Sequence, residues 1–575
     1  MNLTHPLSKV KAKRKFVSTD LSIRSFKDIQ EYFEDLLLRE FNSGNDVKLW
    51  LLDRSELASI LEENLAWRYI KMNCNTADEK LAKSYGLFIT QIEPEVARFS
   101  NLLDEKFFNS PLKSELDNKE FLVFNRSLKT RMDIFREKNL SLISELQVEE
   151  QEYGKVSSEM TIPHGGKEIT LQEAANFTKD PDRSIRKDFF ERINKRRLKD
   201  ANTLQNLLTS LIAKRNTLAQ NADFDDYLEY KWADLGRFDY SFEENMQFHE
   251  AIALEVCPIV DAIMLERKKS LGVNTLRPWD LEVDPELKPA LKPFSFVDEL
   301  VSKTIVSFGK IRSKYGSYIR EMKEGEFFDL DSRIGKAPGG FNYPLYESNI
   351  PFIYMNATGN LRDLETMFHE GGHAIHSFLS AGQKFLDYKE LPAEVAELAS
   401  MSMELISMDQ WYHFFDFEED LKRAKKTQLE GVLQVLPWIA AVDKFQHWLY
   451  KNPVHSHQER NNTWLEIMDV FGSKIVDWKG FSKEREYMWQ KQLHIFEVPL
   501  YYVEYGIAQL GAIAIWKEYR RNPEKALDQF EAALSLGYSV PIPEIYKTAG
   551  ISFDFSQDYV RELMDFVSEE LSNLN

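Results

Sequence analysis

Proline is scarce over much of this chain, and that scarcity limits what it can become. Between Pro111 and Pro258 only Pro163 and Pro181 occur. An interior proline costs a helix about 3 kcal/mol or more, so this stretch is open to long helices. Within it, residues 121–154 repeat apolar positions at three- and four-residue steps (Leu140, Ile143, Leu146) among many Glu and Lys, which predicts amphipathic helix. Residues 156–171 interrupt the pattern. Met160 and Ile162 precede His164-Gly165-Gly166 and Ile169 follows, predicting a short hairpin with a Gly-rich turn. Thr170-Leu-Gln-Glu173 then has the form of a capping box, and helical patterning resumes toward Arg215.

The prolines between Pro278 and Pro293 predict a connector running over the surface. Gly335, Pro338, Gly339 and Gly340, followed by Pro351-Phe-Ile-Tyr-Met-Asn356, predict a Gly-rich loop and a buried or edge strand able to pair with extended substrate backbone. Beyond Leu361 the pattern is helical again. Leu429, Leu433, Leu436, Ala440 and Trp448 keep helical spacing with Pro437 predicting a kink, and Pro523 to Leu536 has Pro at a helix start and Gly537 at its end. The expected fold is mainly α, with a small β element just upstream of the most informative motif.

Composition excludes several classes. With 43% hydrophobic and 29% charged residues over 575 positions, neither a disordered nor a collagen-like chain is compatible. Lys and Arg number 73 against 92 Asp and Glu, and the net charge of −19 argues against binding nucleic acid or an anionic membrane. Cys74 and Cys257 are too few for a disulfide framework or a Cys-rich metal site, which fits a reducing compartment. Residues 1–16 carry Lys9, Lys11, Lys13, Arg14 and Lys15 without an apolar run, and read as a frayed basic tail and not a secretory signal. A cytosolic protein is expected.

The chemistry is concentrated in His369-Glu370-Gly371-Gly372-His373. On a helix, residues four apart stack one turn above the other, so His369 and His373 present two imidazoles to one point, as a zinc ion requires. Glu370 lies beside them as a general base for a metal-activated water. Asn360 is a plausible N-cap, and Asp363 suits the first turn. Two glycines inside a helix cost about 2 kcal/mol together relative to Ala, which points to something approaching closely at that turn. A third protein ligand is needed. His376 shares the face, but ligands on three successive turns of a straight helix lie along a line, so it reads as a residue that supports a ligand from behind or simply packs. Glu394, Glu397 and Glu404 follow on a second helix whose other positions are apolar, and buried carboxylates need a cation or hydrogen-bond partners. Spacing alone leaves Glu394 and Glu397 both open as ligand.

Thr366-Met-Phe-His-Glu-Gly-Gly-His-Ala-Ile-His376, with Glu397-x-x-Ser400-x-x-x-Glu404 downstream, resembles the thimet oligopeptidase and oligoendopeptidase F family of zinc peptidases. The resemblance implies one zinc ion per chain, Glu397 as its third ligand, and Glu404 orienting a ligand imidazole. Gly335 to Phe341, Pro351 to Asn356, Ala549-Gly550-Ile551, Phe553-Asp554-Phe555 and the Asp180-Pro-Asp-Arg183 stretch with Arg186 resemble the oligoendopeptidase F branch, so the likeness covers residues 150–575. It implies a mainly α, two-lobed fold with a deep substrate channel. Residues 1–200 are expected to form a helical N-terminal region and residues 201–575 the catalytic domain.

Stabilising the oxyanion of peptide hydrolysis calls for further donors. Pro499 is expected to open a helix placing Tyr501, Tyr502 and Tyr505 on adjacent faces, just after His494. On the residues alone these tyrosines also fit a buried aromatic stripe. The resemblance favours His494 and Tyr505 as donors, with Tyr502 and Tyr501 contacting substrate, although residues 496–500 lack the Gly-rich stretch and extra Tyr of thimet oligopeptidase. His249, His413, His447, His455 and His457 read as structural. The expected activity is zinc-dependent cleavage of internal bonds in short unstructured peptides, by a monomer or homodimer with no nucleic-acid or membrane partner. A zinc carboxypeptidase and a non-catalytic peptide-binding protein with a structural metal helix are the alternatives.

Overall fold

The computed structural model describes residues 14–116 and 119–574. Helices dominate, and the chain divides into two compact units, each assembled from segments distant in sequence. The first comprises Met1–Glu137, Leu291–Lys425 and Ala508–Phe553, and the second Lys138–Ala290, Lys426–Ile507 and Asp554–Asn575. Among the described residues, no helix is long and apolar enough to cross a membrane.

In the first unit the Gly44–Cys74 helix starts at Ser43, whose side chain accepts from the Asp46 amide. It buries Trp50, Leu57, Ile60 and Leu61 in a core shared with Phe33, Phe99, Phe107, Phe124 and Phe385. Burial of each such side chain contributes about 1.5–3 kcal/mol. Lys9, Lys11 and Lys13 lie outside the described residues, but Arg14 and Lys15 do not form a frayed tail. The Arg14 guanidinium pairs with Glu347 at 2.6 Å with its side chain only 6% exposed, and Glu56 accepts from the Lys15 amide.

This unit also holds a three-stranded sheet. The Phe352–Ala357 strand lies in the middle, parallel to Phe328–Asp331 and antiparallel to Phe341–Tyr343. The central position corrects the expectation that Phe352–Asn356 offers an edge to substrate: both of its sides are paired, and the edges belong to Phe328–Asp331 and Phe341–Tyr343. A strand that is buried along nearly its whole length gains most from neighbours on both sides, which explains its continuous apolar run.

In the second unit, Thr161–His164 and Lys167–Thr170 pair through Gly165 and Gly166, both with positive φ as a two-residue hairpin turn requires. Thr170 and Glu173 form the capping box of the next helix. The amphipathic stretch at 121–154 is split into Leu122–Ile134 and Leu140–Ser158. The break has no proline or glycine. It is held by Asn139, which donates to the Leu218 carbonyl at 3.0 Å and accepts from Asn221 at 2.7 Å. The Arg277–Asp280 start of the proline-rich stretch is not a surface connector either. Asp280 is completely buried, accepting from Arg183 at 2.7 Å and Arg186 at 3.0 Å, while Trp279 is 7% exposed. Arg215 is likewise buried and donates to Tyr450, Glu150 and the Phe496 carbonyl. Buried guanidinium groups are tolerable only with such pairing.

Candidate metal centre

Two helices of the first unit build the centre. Leu361–Ser380 begins with the expected cap: Asn360 accepts from the Asp363 amide, and Asp363 in turn accepts from the Asn360, Gly359 and Thr358 amides. Its apolar side (Leu364, Met367, Phe368, Ala374, Ile375) is fully buried. The second helix, Ala393–Ser407, is buried on nearly every side. The two glycines explain how the helices come so near. A Cβ on Gly372 would stand 2.6 Å from Ser400 Cα and 2.8 Å from the Ala399 carbonyl oxygen, and one on Gly371 would stand 2.6 Å from the Phe308 ring. No side chain fits at the first position, because what it meets is backbone.

That approach brings His369, His373 and Glu397 into one donor group whose ligand atoms all lie within 4.8 Å of one another. Glu397 Oε2 lies 3.4 Å from His369 Nε2 and 3.7 Å from His373 Nε2. Tetrahedral bonds of about 2.0–2.1 Å to zinc place ligand atoms about 3.3–3.4 Å apart, so this group fits with little adjustment. Glu404 Oε1 stands 2.6 Å from His369 Nδ1, a contact that favours the proton at Nδ1 and leaves Nε2 free to accept a metal. Ser400 Oγ donates to Glu397 Oε2 at 3.1 Å. Glu394, left open by spacing, is buried but outside the group, and so is His376. The imidazoles of His369 and His373 stay 22% and 18% exposed, so the group is accessible to a further ligand.

The electrostatics also suit a cation. Burial pushes the Glu370 carboxyl up to about 7; His369 opposes this, and Glu397 and Glu404 add to it. Burial raises Glu397 too. Burial disfavours the His369 imidazolium, yet the Glu404 hydrogen bond and the charges of Glu397, Glu404 and Glu370 outweigh it and lift the ring to about 9. His373 is held well below its ordinary value by burial and by His369. Burial and crowding thus disfavour the charged form of these carboxyl groups, and a divalent ion would favour it. Asn342, on the edge strand, donates to the Glu370 backbone carbonyl at 3.1 Å, a contact invisible in the sequence.

The second unit gathers the other expected residues. The His494 ring lies 4.8 Å from that of Tyr502 and 5.8 Å from that of Tyr505, and Tyr501 is 5.3 Å from Tyr505. Helical spacing is not what assembles them, because the helix begins at Val503 and not at Pro499. Leu500 takes a left-handed conformation with φ 65°, held by Gln446 accepting from its amide and Arg237 donating to its carbonyl. Tyr501 and Tyr502 therefore lie in the turn before the helix. Trp438 and Gln492, both missed in the sequence, fix the His494 tautomer. Trp438 Nε1 can only donate and meets Gln492 Oε1 at 2.9 Å, so the Gln492 amide nitrogen faces His494 Nδ1 at 2.7 Å. Nδ1 must accept, and Nε2 carries the proton. Burial pushes this ring down to about 4, so it is neutral. His249 and His447, read as structural, meet on a fully buried Asp443 at 2.9 and 3.4 Å.

The profile of Peptidase family M3 matches residues 176–565, and that of the Peptidase M3 N-terminal domain matches 16–135, extending the likeness into a region where the sequence showed none. Oligopeptidase PepF of Bacillus subtilis (strain 168) is 23% identical over 390 residues, 67% of this chain and 56% of that protein. An oligoendopeptidase F homolog of Borreliella burgdorferi is 22% identical over 408 residues, 69% of this chain and 65% of that protein. These alignments span about half to two thirds of the relatives' length. The structure of PZ peptidase A with an inhibitor superposes with TM-score 0.90 at 25% identity, covering 97% of this chain and 99% of that one. Oligoendopeptidase F from Enterococcus faecium shares the fold at TM-score 0.65 and 15% identity, covering 96% and 97%. With more than half of its length matched by the family profile, the chain belongs to peptidase family M3.

Proposed function

We propose that the protein is a zinc-dependent endopeptidase cleaving internal bonds of short, unstructured peptides. The observation that carries this reading is a donor group of two imidazoles and a carboxylate, partly open, with the Glu370 carboxyl adjacent. His369, His373 and Glu397 would hold zinc, which would supply a Lewis acid able to polarise a carbonyl and acidify water. Glu370 takes a proton from the attacking water and returns it to the leaving amine, a role that calls for a pKa near the working pH. Glu404 keeps His369 in the ligating tautomer. His494, as a neutral Nε2–H donor, and the Tyr505 hydroxyl donate to the oxyanion, while Tyr502 and Tyr501 contact substrate. The edge of Phe341–Tyr343 offers backbone groups to an extended peptide. All of these residues fall within the expected catalytic stretch, 201–575.

The test uses end-blocked, internally quenched peptides of increasing length with the zinc-loaded protein. Internal cleavage lost on chelation, restored by zinc, and reduced by about 10²–10⁴-fold or more in Glu370→Gln is the expected result. Cleavage only of peptides with a free C-terminus would replace this reading with a carboxypeptidase. Binding without cleavage would replace it with a peptide-binding protein.

A further inference from the structure

A cavity of about 410 Å³ lies within the second unit, lined by the Arg183–Lys199 helix, the Pro278–Glu282 turn and the stretch from Trp478 to Lys491. None of its lining residues belongs to the metal group or to the His494 cluster. Its volume is in the range of small-molecule sites, and Met160, Phe190, Ile193, Leu204, Leu281 and Trp478 make its walls largely apolar.

Arg197 and Lys491 line this same cavity, and neither forms an ion pair among the described residues. The Lys491 ammonium lies 4.6 Å over the Trp438 ring. Desolvation of that ammonium pushes it down to about 8, with Arg197 adding repulsion and Glu282 opposing. Burial also disfavours the Arg197 charge. Lys491 is exposed and Arg197 half-buried, and although carboxylates are plentiful in a chain of net charge −19, neither of these cavity-lining cations takes one as an ion-pair partner among the described residues. An anionic group between them would relieve the repulsion of each cation by the other. Lys179 lines the cavity too, against Glu282 and Glu484, so the lining carries a single excess positive charge. That balance suits a monoanion and disfavours a polyphosphate. The apolar walls require that the anion be joined to a hydrophobic body.

We propose that this cavity binds a small amphipathic carboxylate, its anion between Arg197 and Lys491 and its apolar body against Phe190, Ile193 and Trp478. The same chemistry is offered by the C-terminal residue of a short peptide and by a free medium-chain carboxylic acid. The inference does not depend on the peptidase reading.

The test reads the cavity itself. The full-length protein is acetylated at pH 8 with limiting acetic anhydride, and modification of Lys491 is quantified by mass spectrometry, with the exposed Lys547 as internal reference. N-acetyl-leucyl-phenylalanine, its C-terminal amide and decanoate are added in turn. Saturable protection of Lys491 by at least about fivefold, from one or both carboxylates and not from the amide, is expected. Protection by the dipeptide alone identifies a peptide C-terminus, and by decanoate alone a free acid. No protection up to about 10 mM, or equal protection by the amide, overturns the proposal. Arg197→Met should raise the half-protecting concentration by at least about tenfold; an unchanged value in a variant that melts like the wild type removes Arg197 from the site. If that variant does not fold, the wild-type protection decides.

Discussion

Replacing Gly372 by alanine tests whether contact between two helix backbones sets the geometry of the metal group. On a solvent-facing helix the change would be favourable by about 1 kcal/mol, because Ala is the better helix former. Here the new Cβ would sit 2.6 Å from Ser400 Cα, 2.8 Å from the Ala399 oxygen and 3.1 Å from Met403 Cβ. An ordinary contact needs about 1 Å more. Backbone cannot rotate away, so the Leu361–Ser380 helix must move as a body relative to Ala393–Ser407. Overpacking of this kind costs about 1–3 kcal/mol, which offsets the propensity gain and leaves a net loss of up to about 2 kcal/mol. The larger effect falls on metal binding. Zinc distances tolerate only about 0.2 Å, so a shift of about 1 Å between the histidines and Glu397 should weaken zinc by at least about 10–100-fold. Competition against a chromophoric chelator gives that affinity, and thermal unfolding of the metal-free protein gives the stability. Gly371→Ala is the control, since its Cβ meets only the Phe308 side chain. Trimming in Phe308→Leu should rescue Gly371→Ala, with a coupling of about 1 kcal/mol or more, and should not rescue Gly372→Ala. If Gly372→Ala binds zinc within twofold of wild type at unchanged stability, the close approach does not hold the site together.

Three further outcomes are expected. In Gln492→Glu the carboxylate should accept a hydrogen bond from His494 Nδ1–H, reversing the tautomer and raising the ring's pKa; imidazole ¹⁵N shifts would read both, and an unchanged Nε2–H form would contradict the relay from Trp438. Burial holds His447 down to about 4 despite Asp443, so folding excludes a proton that the unfolded chain takes up below about 6.5. Its contribution is intact above that pH and is lost as pH falls toward 4. About 2 kcal/mol should disappear between pH 7 and pH 5, and His447→Gln should flatten the dependence of denaturation midpoint on pH over that range. Arg186→Met should destabilise the second unit by about 3 kcal/mol, since buried Asp280 keeps only Arg183 as ion-pair partner; a loss below about 1 kcal/mol in chemical denaturation would mean Asp280 is adequately held without it.

Much of the metal centre is legible in the chain order of residues because it depends on short-range geometry. The one-turn spacing of His369 and His373, the Asn360 cap with Asp363, and the Gly165-Gly166 turn each need only neighbours within a few residues. Even the cost of two helix-interior glycines announced a close approach before its partner was known. What approached was decided by packing. Spacing left Glu394 and Glu397 equivalent, and the resemblance favoured Glu397. In the structure it is the contact of Gly372 with Ala399 and Ser400 that turns Glu397 toward the histidines and leaves Glu394 outside the group. Tertiary structure likewise buried Asp280 under Arg183 and Arg186, paired both sides of the Phe352–Ala357 strand, and joined His249, His447 and Asp443. It also bent the chain at Leu500, through Arg237 and Gln446, so that Tyr501 and Tyr502 precede their helix. Periodicity records how a residue relates to its own turn or strand, whereas an ion pair or hydrogen bond between distant segments leaves no period, and exists only once the backbone has brought them together.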